Sequence, residues 1–490
     1  QNKCRAAPCN RICKGNHRKC TGANNHSGKQ SAAGGIQLVS EYGQLQGISI
    51  NESYRANIHE KGKGVMNMNK LPIKKVVNGL LKLQDTGESA TLLGIGPMSS
   101  NLLQASFELA RDYDFPLMFI ASRNQVDADE LGGGYVNGWD QKRFHDDIRK
   151  IANQVSFDGL YYLCRDHGGP WQRDNERNAH LCEEEAMKLA RQSYFADIEN
   201  GFDLLMIDPT KDPFEIGKVI PLDVVLKRTV DLIAYCEKER TRLGLPEIGY
   251  EVGPEETNGG LTSTEKYHEF IEKLEKELQA KGLPMPTFIV GQTGTLTRKT
   301  EQVGTYHFQN AYNLAAMAKK YGVGLKEHNA DYLDDVTLLE HIPANVTASN
   351  VAPQYGTEET RAYLKLCDVE DILKKEGLIE NASDVRNTLL VKAIKTERWR
   401  KWMIGEQRNL QVDEILKDKE LSLDILDIAG HYAFNDADVK RELDILYKNL
   451  AKHHIDGQRF VIDHIKRPLQ QYVECYNLKG VTSRICKVVK

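Results

Sequence analysis

The chain has 490 residues, with 65 Lys and Arg against 69 Asp and Glu and a formal net charge of -4. That near-neutral balance gives no argument for nucleic acid, so a small molecule is the expected substrate. No stretch approaches the ~18 uninterrupted apolar residues of a membrane span, and the N-terminus lacks the apolar core of a secretory signal, so a cytoplasmic enzyme is expected.

The first 65 residues are basic early, rich in Gly, Asn and Ser, and without apolar periodicity. Cys4, Cys9, Cys13 and Cys20 lie there, with four, three and six residues between them. Those gaps do not reproduce the paired CxxC spacing of zinc ribbons or fingers. Residues 1–65 are therefore expected to be a disordered or foreign extension, with the folded protein starting near Met66.

From Asn69 the pattern becomes regular. Eight apolar runs, Thr91–Gly96, Leu117–Ala121, Gly159–Cys164, Leu204–Asp208, Ile248–Val252, Thr287–Gln292, Val323–His328 and Val346–Val351, have the length of buried strands. Between them, Leu102–Asp112, Glu184–Ile198, Val224–Tyr235, Tyr267–Leu278 and Tyr306–Tyr321 repeat apolar residues every three or four positions, as amphipathic helices do. Lys281-Gly282 and Tyr321-Gly322 read as helix C-caps. This alternation predicts an α/β fold, a closed (β/α)8 TIM barrel over residues 66–356. An open doubly wound sheet is the alternative, but no GxGxxG follows the first run. Beyond about Thr357 the strands stop. Helical patterns over Glu358–Lys375, Ala382–Met403 and most of Asp413–Cys475 predict a helical C-terminal extension, residues 357–490. Trp399, Trp402, Tyr432, Phe434 and Tyr472 are its candidate core.

In a barrel the chemistry sits at the C-terminal strand ends and the loops after them. The third run leads into Asp166-His167, and Gly168-Gly169-Pro170 stop and turn the chain. The second leads into Arg123-Asn124-Gln125, with Gly132-Gly133-Gly134-Tyr135 beyond. The fourth ends in Asp208, the fifth carries Glu251, the sixth ends in Gln292, the seventh in Glu327-His328-Asn329, and the eighth carries Asn350. Any one of these groups could equally cap a helix or tie a loop. Two imidazoles and a carboxylate from separate strands, converging on one mouth, suit a divalent metal with positions left for water and substrate. His167, Glu251 and His328 are the expected ligands, with Gln292 as a fourth oxygen donor. Zinc is the first choice, with manganese, cobalt or nickel as alternatives. Such a metal polarises a ketose carbonyl. Asp166, beside a ligand in sequence, is placed to exchange a proton with a substrate hydroxyl, and Glu327 is the next candidate for that role. Deprotonating a hydroxyl β to the carbonyl begins retro-aldol cleavage. Arg123, Asn124 and Gln125 are expected to hold the departing fragment under a mobile Gly132–Gly134 flap, with Asp208 and Asn350 completing the polar lining.

Several short motifs recur in a fixed order: Asn124-Gln125-Val126, Gly133-Gly134-Tyr135, Asp166-His167-Gly168-Gly169-Pro170, Glu251-Val252, Glu327-His328-Asn329-Ala330-Asp331-Tyr332 and Phe434-Asn435-Asp436. Through them the chain from Met66 onward resembles the class II tagatose-bisphosphate aldolase large subunits, the GatZ/KbaZ-like family. The resemblance implies a TIM barrel related to class II fructose-bisphosphate aldolases, in which the Asp-His pair supplies a catalytic acid/base and a zinc ligand. It implies a ketose or ketose phosphate as substrate. Some members support a separate class II aldolase catalytic subunit and are called non-catalytic. Others resemble ketose or ketose-phosphate 4-epimerases, which work by retro-aldol cleavage and re-addition. A homo-oligomer is expected.

The chain departs from the family pattern in places. The family's Asp-His-Leu-Gly-Pro is Asp-His-Gly-Gly-Pro here, and its Gly-Thr-Glu-Val-Pro becomes Gly-Tyr-Glu-Val-Gly-Pro-Glu-Glu, which adds Glu255 and Glu256. Class II aldolases hold phosphate on small residues after strands seven and eight. Here Asn329-Ala330-Asp331 follows strand seven, and Asp331 would repel a phosphate, with Arg298 and Lys299 placed to compensate. The expected function is a metal-dependent ketose or ketose-phosphate 4-epimerase or aldolase of the tagatose/fructose type, cleaving C3–C4. The alternatives are a non-catalytic subunit that stabilises a partner class II tagatose-1,6-bisphosphate aldolase, and a TIM-barrel enzyme of another class.

Overall fold

The computed structural model describes residues 70–489 other than 216–218, 257 and 404. The extension expected over residues 1–65, with its four cysteines, lies outside the described residues. Each apolar run forms a strand. Numbering only the barrel strands, these are β1 (Leu92–Ile95), β2 (Leu117–Ser122), β3 (Tyr161–Gly168), β4 (Leu204–Ile207), β5 (Gly249–Val252), β6 (Phe288–Val290), β7 (Gly324–Glu327) and β8 (Ala348–Val351). Each pairs in parallel with its neighbours in sequence, and β8 closes onto β1 from Leu92↔Ala348 to Ile95↔Val351. The fold is a (β/α)8 TIM barrel. Strands this short and apolar are buried on both faces, inside by one another's side chains and outside by helices.

Helices Ser100–Tyr113, Gln141–Gln154, Glu183–Glu199, Leu222–Leu243, Thr264–Ala280, Phe308–Lys320, Asp335–Glu340 and Pro353–Lys375 follow the strands in turn. Local chemistry sets many of their ends. Ser99, Asp140, Ser263 and Asp334 each accept the N–H three residues on, satisfying a donor that has no partner within the helix. Gly282 and Gly322, at φ 65 and 67, lie just past the C-caps read from the sequence.

β3 departs from its expected length in a way that builds the site. It runs on past Cys164 to Gly168, and its pairing with β4 slips between Arg165 and Gly168. His167 sits there at φ 44. In a regular strand Asp166 and His167 would point to opposite faces. The bulge breaks that period and turns both side chains to the barrel mouth. Arg165 points out into the helix layer instead, fully buried, pairing with Asp197 at 2.5 Å and donating to the carbonyls of Ala121 and Val126.

After β8 the chain is helical. Helix Pro353–Lys375 is both the last barrel helix and the first of this tail. Trp399, Tyr432, Phe434 and Tyr472 are buried, and Trp402 is partly buried. Trp399, Met403, Ile415, Ile425 and Tyr432 form a small core of their own, against which Tyr135 from the loop after β2 packs. Helix Gly457–Cys475 lies on Ser100–Tyr113, and Arg459 and Lys466 both reach Glu108 there. The described residues thus make one compact unit. Among the described residues no helix is long and apolar enough to cross a membrane.

Candidate active site

At the C-terminal mouth of the barrel, His167 and His328 pack edge to face, with ring centroids 5.0 Å apart and planes at 81°. His167 comes from the β3 bulge and His328 from the residue after β7. Asp208, directly after β4, takes the Nδ1 side of His167 at 2.8 Å, which leaves Nε2 free. The other Asp208 oxygen accepts from the N–H and hydroxyl of Thr210. Burial opposes a charged imidazole at His167, but Asp166 and the bonded Asp208 outweigh it and raise the ring's pKa to about 9. Burial equally opposes a charged Asp208, yet its bond to His167 holds it down to about 2.

His328 is arranged in the same way. Its Nε2 lies 2.9 Å from Glu251 Oε1, and Lys326 Nζ holds the other Glu251 oxygen at 2.5 Å. Glu251 and Lys326 are fully buried inside the barrel. Burial pushes against the Glu251 charge, but Lys326 and His328 keep its pKa below the ordinary value. The second ring nitrogen of His328, Nδ1, is buried without a partner. Each imidazole therefore has one nitrogen fixed by a carboxylate and one left over, the arrangement found in metal-ligating histidines.

Asp166 completes the group. Its Oδ2 is 3.8 Å from His167 Nε2, and its Oδ1 is 4.0 Å from His328 Nε2 and accepts from Asn350 Nδ2 at 3.1 Å. Asp166, His167 and His328 each bring a donor atom within 4.8 Å of the others. Two imidazoles and a carboxylate suit a divalent metal, and the orphaned buried nitrogen of His328 is the kind of group such an ion satisfies.

The other residues picked from the sequence divide. Asn350 is in the group. Asp208 and Glu251 stand directly behind the two imidazoles. Gln292 is turned away, its side-chain oxygen accepting the Asn258 N–H at 2.7 Å and so holding the loop after β5. Glu327 points outward, because strand alternation sends Lys326 and His328 inward. It is fully buried against the helix layer, 2.8 Å from His341 Nε2 and bonded by Thr293 and Ser349, so it does not share a space with Asp166. Arg123 is buried and bridges Asp127, Glu176 and the Gly169 carbonyl. Gln125 bonds Ser122 and the Pro97 carbonyl. Both tie loops together, and Asn124 is left as the half-buried member of that triplet, bonded at 3.3 Å to the Gln172 carbonyl. Arg298 donates to its neighbour Thr297.

The Gly132–Gly134 turn is not the free flap its glycines suggest. Arg173 holds the Gly133 carbonyl at 3.0 Å, and a Cβ on Gly134 would lie 1.9 Å from the Gln125 carbonyl oxygen. Two residues of the site escaped sequence reasoning, Lys326 and Gly94, which stands opposite Asn350 where β1 pairs with β8. Lys326 is a lone lysine in an apolar run, two positions before His328, and that spacing was its signal.

Residues 77–479 match the model of a family described as D-tagatose-1,6-bisphosphate aldolase subunit GatZ/KbaZ-like. The chain belongs to this family. No curated protein sequence matches it significantly. Among solved structures, this GatZ/KbaZ-like chain shares its fold with a probable tagatose 6 phosphate kinase from Sinorhizobium meliloti 1021. That similarity has a TM-score of 0.57 at 19% identity, over 79% of this chain and 100% of that one. Weaker similarity extends to the fructuronate-tagaturonate epimerase UxaE from Cohnella laeviribosi, with a TM-score of 0.46 at 12% identity over 79% of this chain and 81% of that one. A fructose-bisphosphate aldolase from Campylobacter jejuni has a TM-score of 0.46 at 12% identity over 84% and 99%.

Proposed function

We propose that this GatZ/KbaZ-like protein is a metal-dependent ketose 4-epimerase or aldolase that breaks and remakes the C3–C4 bond. The observation that carries this is the Asp166, His167 and His328 group, with a carboxylate fixing each imidazole from behind. His167 and His328 would hold a divalent metal, zinc before manganese, cobalt or nickel, with Asp166 within reach and Glu251 and Asp208 setting the rings. When bound, the metal supplies polarisation of the ketose carbonyl. Asp166 takes the proton from the C4 hydroxyl, the C3–C4 electron pair passes to C3 and into the neighbouring carbonyl, and C4 becomes an aldehyde. Asn350 holds one Asp166 oxygen and leaves the other for that proton. The Lys326–Glu251 pair keeps the charge beneath the site balanced. If the aldehyde fragment leaves, the reaction is an aldol cleavage. If it turns and re-adds, the product is the C4 epimer.

The family description names an aldolase subunit, and the second reading is that this chain stabilises a separate class II aldolase. That role does not call for the intact group at the mouth, so the catalytic reading is preferred. The test is turnover of fructose, tagatose and their phosphates by metal-loaded protein in heavy water. Retro-aldol epimerisation leaves the carbon-bound hydrogen at C4 unexchanged. Deuterium entering C4 in step with turnover would overturn the mechanism, and absence of turnover with any divalent metal would favour the subunit role.

A further inference from the structure

Across the mouth from β7 and β8 lie β3 and β4, and the loops after these two strands meet the helical tail in a group of cations. Lys211, three residues beyond Asp208, has a side chain 29% exposed and pairs with Glu256 of the loop after β5. The Glu256 side chain is 51% exposed, so its carboxylate can swing out into water. Burial lowers the Lys211 pKa. Asp208 opposes that shift but is committed to His167, while Arg177 and Lys401 add to it. The Lys211 charge bears in turn on His167, which places this lysine beside the candidate site.

Lys401 arrives from the tail, on the helical turn Arg398–Trp402. Its Nζ lies 5.1 Å from the ring centre of Trp402 and 5.4 Å from that of Tyr432, and among the described residues no carboxylate pairs with it. Tyr432 packs on Tyr135 of the loop after β2, with ring centroids 4.9 Å apart, and this contact brings Lys401 to the barrel mouth. Arg177 and Arg398 share one carboxylate, Asp174. Lys211, Lys401, Arg177 and Arg398 are thus four cations against two carboxylates, Glu256 and Asp174, a surplus of two positive charges. Burial first, then Lys401 and Arg398, drive the pKa of His431, beside Tyr432, down to about 3.

A positive field in a partly closed cleft draws in an anion. We infer that Lys211 and Lys401 bind a phosphate of the ketose at the end facing β3 and β4, and that Glu256 holds Lys211 until the phosphate takes its place. An ammonium on a flexible stem suits this role, since it can leave one anion and follow another. A ketose 1,6-bisphosphate carries a phosphate at each end, so a molecule spanning the mouth needs an anion site on this side as well as on the β7 and β8 side. The tail is then part of the substrate site as well as a support for the barrel. The inference rests on the ketose reading above and adds residues that hold one end of the sugar.

Calorimetric titration of the metal-loaded full chain with fructose, fructose 1-phosphate, fructose 6-phosphate, fructose 1,6-bisphosphate and fructuronate tests this. Lys211→Ala and Lys401→Ala should each weaken bisphosphate binding relative to fructose by about tenfold, the loss of one charge-assisted contact. One monophosphate should follow the bisphosphate and the other should follow fructose, since the sugar is held in one direction. Lys211→Arg keeps the charge and should recover most of the loss. Glu256→Gln removes the competing carboxylate and should tighten bisphosphate binding, an effect of opposite sign that a merely structural ion pair would not give. Equal losses for bisphosphate and fructose, or weaker bisphosphate binding in Glu256→Gln, would overturn the inference. So would a loss confined to fructuronate, which would make the subsite one for a carboxylate. Because binding is read, a chain that binds these sugars without turning them over would refute the proposed chemistry and leave this result standing.

Discussion

Asn350 can reach Asp166 only because its neighbour across the strand pair is a glycine. Gly94 of β1 stands opposite Asn350 of β8, and a Cβ there would come within 2.2 Å of Asn350 Oδ1. Gly94→Ala should push the amide off Asp166 while a side-chain shift absorbs the clash. Turnover should fall by about tenfold or more with metal content kept, since each lost kcal/mol of positioning is about fivefold in rate. Asp166→Asn keeps shape and removes the base, so kcat should fall about 10²–10⁴-fold with metal still bound. Loss of metal in that variant would make Asp166 a ligand instead. His328→Ala should lower metal per chain well below the parent, as read by elemental analysis. At this scale the imidazoles and Asp166 were legible because they end apolar runs. Gly94 was not, because its importance lies in a partner that sits 256 residues further along the chain. Glu327 was misdirected by its place beside His328, although counting alternate residues back from that histidine already turns it outward.

At the scale of elements, each strand was legible from an apolar run of the right length between turn signals, but the β3 bulge was not. Nothing in Arg165-Asp166-His167-Gly168 announces a register slip, and the glycines read as a stop. The slip depends on pairing with β4, and the same pairing places Asp208 against His167. Asp208 therefore orients His167, the proposed metal ligand, where the sequence suggested substrate lining. Removing a partner behind a metal-ligating histidine typically costs about 10–100-fold in metal affinity. Asp208→Ala should weaken metal binding by that factor, measured by competition with a chelator, while far-ultraviolet dichroism stays that of the parent. Unchanged affinity would mean that the bulge alone orients His167.

For the whole molecule, the aromatic residues of the tail marked its core in the sequence, but the charged contacts that fasten the tail to the barrel could not be read. Glu108 and Arg459 are 351 positions apart, and no local pattern links them. Arg459 bonds Glu108 at 2.9 Å, Lys466 bonds its other oxygen, and the Glu108 side chain is only 10% exposed. Burial opposes the Glu108 charge, but these two cations overcome it and bring the pKa from 4.5 to about 2. The folded pKa is thus below the unfolded one, so this contact contributes stability above about pH 4.5 and loses it as pH falls towards 2. Glu108→Gln leaves two cations facing a neutral amide. It should cost about 1–3 kcal/mol at pH 7, the range for a charge-assisted bond with one partner removed. The difference in Tm between variant and parent should be largest at neutral pH and shrink between pH 4.5 and 3. A constant gap across that range would show that Glu108 fastens the tail through packing and not through charge.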